Sequence, residues 1–213
     1  SSTRNAWLLV LCGGLVIGMS MGTRNVQGLF MLPMLLDKGW PREAFSFALG
    51  VQMLVWGALQ PISGWLSDRF GSGRVIAAGC AVYACGLLLE STAPSTGWLT
   101  VGAGLLIGIG LSATTFGAVY GGLSRLIPAE RRGWAQGVSG GVGGFIQFLL
   151  VPVAQLGIDG LGWPAGLQML AVMAVACAAT GLILEPRAPV SPSGSGAGQA
   201  AGPVIRAALG HSG

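Results

Sequence analysis

The sequence predicts an all-α membrane protein of six transmembrane helices, and three observations carry that prediction. Only 8% of its 213 residues are charged and 52% are hydrophobic, whereas a soluble domain carries roughly 25% charged residues. Six apolar runs have lengths suited to a bilayer, which takes about 20 residues per span. The basic residues alternate between connections: Arg4, Arg69, Arg74, Arg125, Arg131, Arg132, Arg187 and Arg206 fall on one side, and only Lys38 and Arg42 on the other. Cytoplasmic loops carry the excess of Lys and Arg, so both termini are expected in the cytoplasm, in agreement with an even number of spans. The net charge of +4 resides mostly in these short loops. It therefore points to a lipid bilayer as partner and not to nucleic acid.

The spans follow in order. The first, Trp7 to Leu36, is long enough to tilt or protrude and contains one arginine, Arg24. The second, Ala44 to Leu66, opens after Trp40-Pro41, and the third, Val75 to Ser91, after a charged hairpin. The fourth runs from Trp98 to Leu123, the fifth from Gly133 to Leu156 after the Arg131-Arg132 pair, and the sixth from Trp163 to Leu184. Trp40, Trp98 and Trp163 mark outer ends and Trp7, Trp65 and Trp134 inner ends, as interfacial aromatic belts require; Trp56 is expected to be buried mid-span. Pro41 and Pro164 suit the first turn of a helix, where no backbone donor is lost. These spans define a bundle over residues 1–185. From Pro186 the composition shifts to PRAPVSPSGSGAGQAAGP, a polar linker over residues 186–213 with a short helical stretch from Val204 to Leu209. The chain has the character of one cut in a middle loop.

Cys12, Cys80, Cys85 and Cys177 lie within apolar runs, and the one histidine, His211, is in the tail. The cysteines read as small hydrophobes, with no metal site, cofactor or disulfide framework expected. No cleavable signal peptide is evident.

The hairpin Gly64-Trp65-Leu66-Ser67-Asp68-Arg69-Phe70-Gly71-Ser72-Gly73-Arg74 resembles the loop between helices 2 and 3 of the major facilitator superfamily, whose usual pattern is G-x-L-x-D-R-x-G-R-R/K. Asp68, Arg69 and both glycines match; Ser72 and Gly73 replace the basic pair, with Arg74 one step on. GTRNVQGLFMLP (Gly22 to Pro33), GWPREAFSFALGVQ (Gly39 to Gln52), ERRGWAQGVSGG (Glu130 to Gly141) and QFLLVP (Gln147 to Pro152) resemble helices 1, 2 and 5 of its bacterial monocarboxylate-porter-like branch. Ala207 to His211 resembles the segment just before helix 7. The resemblance implies the N-terminal half-bundle of a twelve-helix fold, a 3+3 inverted repeat, with a C-terminal six-helix half or a second copy as partner. It places the protein in a bacterial inner membrane. The superfamily's proton-antiport arginine in helix 4 would fall near Gly104 and is absent. The helix-5 antiporter motif is matched only by the glycines from Gly137 to Gly144, without its proline.

Arg24 is the sharpest residue. It lies about 25 Å along the helix from Trp7, near or beyond the bilayer middle. An arginine there costs at least about 2.5–3.5 kcal/mol unless it faces water or a partner. One reading is a cation that grips a carboxylate of an anionic substrate with two bonds; the other is a structural arginine satisfied by neighbouring helices. Gln27 and Gly28 share its face at i+3 and i+4. No acidic residue is expected in the membrane centre, and Glu90, the nearest, is placed at the outer interface. Spans 1, 2, 4 and 5 carry Asn25, Gln27, Gln52, Gln60, Ser112, Thr114, Thr115, Tyr120, Ser139 and Gln147, while spans 3 and 6 are almost wholly apolar and are expected to face lipid. This agrees with the superfamily, in which helices 1 and 4 line the path and 2 and 5 meet the partner half. Candidate substrate contacts are Arg24, Gln27, Thr114, Thr115, Tyr120 and Gln147, with helix–helix hydrogen bonding as the competing role. In span 5, Gln136, Ser139, Gly140, Gly143, Gly144 and Gln147 follow helical spacing and suit close helix approach.

Gly64, Asp68, Arg69, Gly71, Arg74, Arg131 and Arg132 are candidate gating residues. With Arg125 they share the cytoplasmic side, where a charge network would close that side and release it during alternating access; fixing topology alone is the competing role. The function expected is that of half of a secondary transporter for a small organic anion such as a monocarboxylate. Drug or metabolite efflux, or a non-transporting scaffold or receptor, are the alternatives. Gly137-Val138-Ser139-Gly140 superficially resembles the GxSG of rhomboid intramembrane proteases, but that chemistry needs a base, and His211 lies in the tail.

Overall fold

A computed structural model describes residues 2–184, of which residues 2–5 and 183 are described by their backbone alone. The expected linker over 186–213, with Arg187, Arg206 and His211, lies outside the described residues. Six helices are long and apolar enough to cross a membrane, and no strand occurs among the described residues. Helical spans satisfy every backbone donor and acceptor within the segment, as a bilayer demands. They are α1 (Ser2–Lys38), α2 (Arg42–Phe70), α3 (Ser72–Ser91), α4 (Thr96–Leu126), α5 (Arg132–Leu161) and α6 (Trp163–Ile183). Each coincides with an expected span.

The joints are short. A single residue, Gly71, separates α2 from α3, with φ 94° and ψ 139°. An L side chain is strained at that φ, so glycine is required there. Pro41 precedes α2 as its cap and does not enter the first turn, whereas Pro164 occupies the first turn of α6 as expected. Trp163 stands at the start of α6 as expected, turned toward α1. It is only 6% exposed, and its Nε1 donates to Asp37 Oδ2 at 3.3 Å, fastening the end of α1 to the start of α6.

Packing sets α1 chiefly against α5, α4 equally against α2 and α3, and α3 also against α6. Exchanging α1 with α4, α2 with α5 and α3 with α6 turns the α1–α5 pair into the α4–α2 pair and leaves the α3–α6 pair unchanged. That is the pairing of a 3+3 inverted repeat. The two equivalent seams are built alike. On α1, a Cβ added at Gly14, Gly18 or Gly22 would lie 2.7, 2.5 and 2.5 Å from Val142, Ile146 and Leu150 of α5. On α4, one added at Gly104 or Gly108 would lie 2.9 Å from the Ala48 carbonyl or from Val55 of α2. Lipid is as apolar as leucine, so close approach over small residues supplies the association energy here. The Gly104 contact also explains the missing arginine: the position lies against the backbone of α2 and has no room for a side chain. In α5 the expected close-approach run holds only in part. Ser139 and Gly143 are buried against α1 and a Cβ on Gly140 would lie 2.9 Å from the Tyr120 hydroxyl, but one on Gly144 would meet nothing.

α4 is irregular. It opens with one α-helical turn, adopts π-helical geometry over Thr100–Leu106, returns to α over Ile107–Thr114, breaks at Thr115 and resumes over Phe116–Leu126. The most apolar 18-residue stretches of α1 and α4 are each 67% buried, against 17% for α2 and 22% for α5. The latter two thus present broad open faces, with Phe47, Leu54 and Ile62 on α2 and Phe145, Phe148 and Leu156 on α5. α3 is less lipid-like than its composition implies, because its inner face buries Tyr83 and Glu90.

Candidate functional site: a cation-lined cavity and a charged elbow

A cavity of about 460 Å³ opens between α1 and α2, lined by Arg24, Asn25, Gly28, Leu49, Gly50, Gln52 and Met53. The face of α1 that carries Arg24 also carries Gly28 one turn on, which leaves space beside the guanidinium. Arg24 Nη2 donates to Met53 Sδ at 3.3 Å, and the guanidinium lies 5.4 Å from the Trp56 ring centre. Its Nε is buried without an acceptor, and no carboxylate pairs with it among the described residues. The cation is held by a thioether and an aromatic face, both of which leave its charge uncompensated.

Asn25 Nδ2 donates to Gln147 Oε1 at 2.9 Å, placing Gln147 of α5 at the edge of the same wall. Thr115, at the break in α4, accepts from Gln60 Nε2 at 3.2 Å and from Trp56 Nε1 at 3.5 Å, so it supports the ring on which Arg24 lies. The remaining candidates lie elsewhere. Gln27 is 1% exposed and turned into the bundle, away from the cavity. Thr114 donates back to the Gly110 carbonyl at 2.8 Å and is fully buried. Tyr120 packs its ring 5.4 Å from that of Phe116 and faces Gly140. Sequence reasoning missed Met53 and Trp56 as partners of Arg24. Trp56 is partly exposed, not buried, and its mid-span position was the available signal.

Glu90 does not face the surroundings of the bundle. It is 0% exposed, and its Oε2 accepts from Gln27 Nε2 at 3.3 Å. Gln52 Nε2 donates both to Gln27 Oε1 at 3.0 Å and to the Ala103 carbonyl at 2.7 Å. Burial within the bundle overrides its place one residue from the end of α3.

At the elbow, Asp68 pairs with Arg125, whose Nη1 also donates to the Ser67 carbonyl at 2.8 Å. The pair ties the end of α2 to the end of α4. Arg69 lies over Trp65 and Phe70, with ring centres 5.4 and 5.7 Å away. Arg74 on the first turn of α3 is not free either. Arg132 Nε donates to the Ile127 carbonyl at 3.3 Å. Arg131 borders a separate recess of about 230 Å³ with Trp7 and Trp134. A Cβ on Gly64 would meet nothing within 4 Å.

Six apolar helices paired in this way, with an open cavity between α1 and α2, define the class of polytopic helical membrane proteins. The chain matches the Major Facilitator Superfamily over residues 10–212, and it belongs to that family. Among curated proteins it is 31% identical over 190 residues to monocarboxylate transporter 11 of Mus musculus, covering 85% of this chain and 40% of that protein. It is 27% identical to monocarboxylate transporter 13 of Rattus norvegicus, with 84% of this chain and 42% of that one covered. Monocarboxylate transporter 3 of Rattus norvegicus matches at 23% identity, over 84% and 36%. The chain thus spans less than half the length of these relatives.

Proposed function

We propose that this chain forms the N-terminal half of a secondary transporter that moves a small organic anion, a monocarboxylate or a close analogue, by alternating access. The observation that carries the reading is Arg24, a cation within a membrane span that has no carboxylate partner among the described residues and lines an open cavity. A guanidinium so placed recovers the cost of its position when a carboxylate binds it. The names of the relatives agree with that chemistry.

The exposed faces of α2 and α5 would receive the second six-helix bundle, completing the path between two halves. The basic side of the molecule faces the cytoplasm of a bacterium in this reading, with the Asp68–Arg125 pair closing that side in one state. Uptake of labelled monocarboxylates by the full-length protein in proteoliposomes tests it. Saturable uptake that is lost in Arg24→Ala is the expected result. Absence of carboxylate uptake, or full activity in Arg24→Ala, would overturn the reading.

A further inference from the structure

The basic side of the molecule holds a second recess, apart from the Arg24 cavity. It measures about 230 Å³ and lies where the start of α1 meets the start of α5. Ala6, Trp7, Arg131 and Trp134 line it among the described residues. The two indoles meet edge to face, with ring centres 4.9 Å apart and planes at 88°. They brace each other and still leave close to half of each side chain exposed. Tryptophans at the ends of membrane spans sit at headgroup depth, so the recess opens where lipid headgroups lie.

Its polar lining consists of donors alone. A guanidinium has five N–H donors and an indole has one, and neither group accepts. The indole N–H groups of Trp56 and Trp163 have acceptors; those of Trp7 and Trp134 have none among the described residues. Arg131 is equally open. Of the arginines on this side whose side chains are described, Arg125 pairs with Asp68, Arg69 lies over two rings, Arg132 reaches the Ile127 carbonyl and Arg74 is engaged. Arg131 alone has no hydrogen bond, ion pair or ring contact among the described residues. Its neighbour Glu130 is exposed on the turn Ala129–Arg131 and is not part of the lining.

Such a wall suits a negative group with several acceptor oxygens. A phosphodiester is one, and a guanidinium grips it with two parallel bonds. The indole rings add apolar surface for the glycerol and the first acyl carbons, which a free phosphate does not need. An ammonium on the same headgroup would face the charge of Arg131 and find no carboxylate in the lining, so the wall favours an anionic lipid over a zwitterionic one.

We propose that this recess binds the phosphate of an anionic phospholipid, with Arg131 as its cation and Trp7 and Trp134 as donors and apolar wall. Lipid bound there bridges the starts of α1 and α5, the same two ends that the tryptophan pair joins. The site does not depend on the anion reading of Arg24.

Native mass spectrometry of the full-length protein in detergent tests it, with phosphatidylglycerol and phosphatidylcholine of the same acyl chains as probes. Phosphatidylglycerol is expected to bind at least about tenfold more tightly, the equivalent of one charge-assisted contact. Arg131→Gln should abolish that preference. Trp7→Phe with Trp134→Phe keeps both rings, deletes both donors, and should weaken phosphatidylglycerol binding about threefold or more. Arg69→Gln removes a charge on the same side outside the recess and should keep the preference. No preference in the wild type, as when the rest of the protein covers the recess, would overturn the proposal. So would a preference that survives Arg131→Gln, or one lost equally in Arg69→Gln, which would assign it to diffuse surface charge. Glycerol 3-phosphate is the soluble arm: binding as tight as that of the phospholipid would overturn the lipid assignment in favour of a free phosphate.

Discussion

The two repeat-related seams use the same packing device and differ in everything polar. At the α1–α5 seam, glycines spaced by four lie beneath Val142, Ile146 and Leu150; at the α4–α2 seam, Gly104 and Gly108 lie beneath Val51 and Val55. Yet α1 is one continuous helix of 37 residues that brings side chains, Arg24 and Asn25, to the cavity. α4 is deformed over Thr100–Leu106 and broken at Thr115, and it offers main-chain carbonyls beside the Thr115 hydroxyl as buried acceptors: Ala103 takes Gln52, and Thr114 takes Ser20 Oγ at 3.2 Å. One helix contributes charge and the other contributes only uncharged acceptors. The two seams share a scaffold, and their chemistry differs.

The largest expected effect tests the charged member of that contrast. Arg24→Ala should lower anion uptake about 100-fold, in line with the loss of a buried, hydrogen-bonded charge contact, and Arg24→Lys should restore part of it without restoring the wild-type KM. Next comes the shared scaffold. Gly18→Val and Gly108→Val should each destabilise by about 1–3 kcal/mol through overpacking, read as a lower thermal unfolding midpoint, while Gly28→Ala, whose added Cβ meets nothing, should leave the midpoint unchanged. If only one seam proves sensitive, the repeats are not energetically equivalent. Gln52→Leu probes the backbone side of the comparison. It leaves the Ala103 carbonyl unsatisfied, at about 1–3 kcal/mol, and unfolding in denaturing detergent should come earlier by that amount. The smallest effect on stability belongs to Asp68→Asn. Asp68 is 72% exposed, so losing the pair should change stability by about 1 kcal/mol or less. Its transport rate is the informative measurement, since an unchanged rate would remove the elbow from gating.

Much of this contrast was legible in the sequence, and the reasons are physical. Spans announce themselves by length and apolarity, so all six were found within a few residues. Arg24 stood out because an arginine inside an apolar span is costly unless water or a partner meets it. What escaped were features set by rotation and neighbours. Gln27 and Gly28 are adjacent, yet the sequence could not say which faces the cavity, because both lie within one turn of Arg24. Glu90 stands one residue from a helix end, and only the packing of α1 and α4 over it shows that it is buried. The glycine run of α5 drew attention, although the tighter contacts belong to the glycines of α1. The π-helical stretch of α4 has no periodic signature, since Thr100–Leu106 is as apolar as any ordinary span.

Trp56 carries one more consequence. Its indole lies 5.4 Å from the Arg24 guanidinium and donates to Thr115, so it touches both the continuous helix and the broken one. Any anion that draws the guanidinium off the ring changes the local field on an excited indole. The cavity therefore carries its own optical reporter: with the other six tryptophans replaced by phenylalanine, Trp56 emission follows occupancy and the state of the α4 break without an added label.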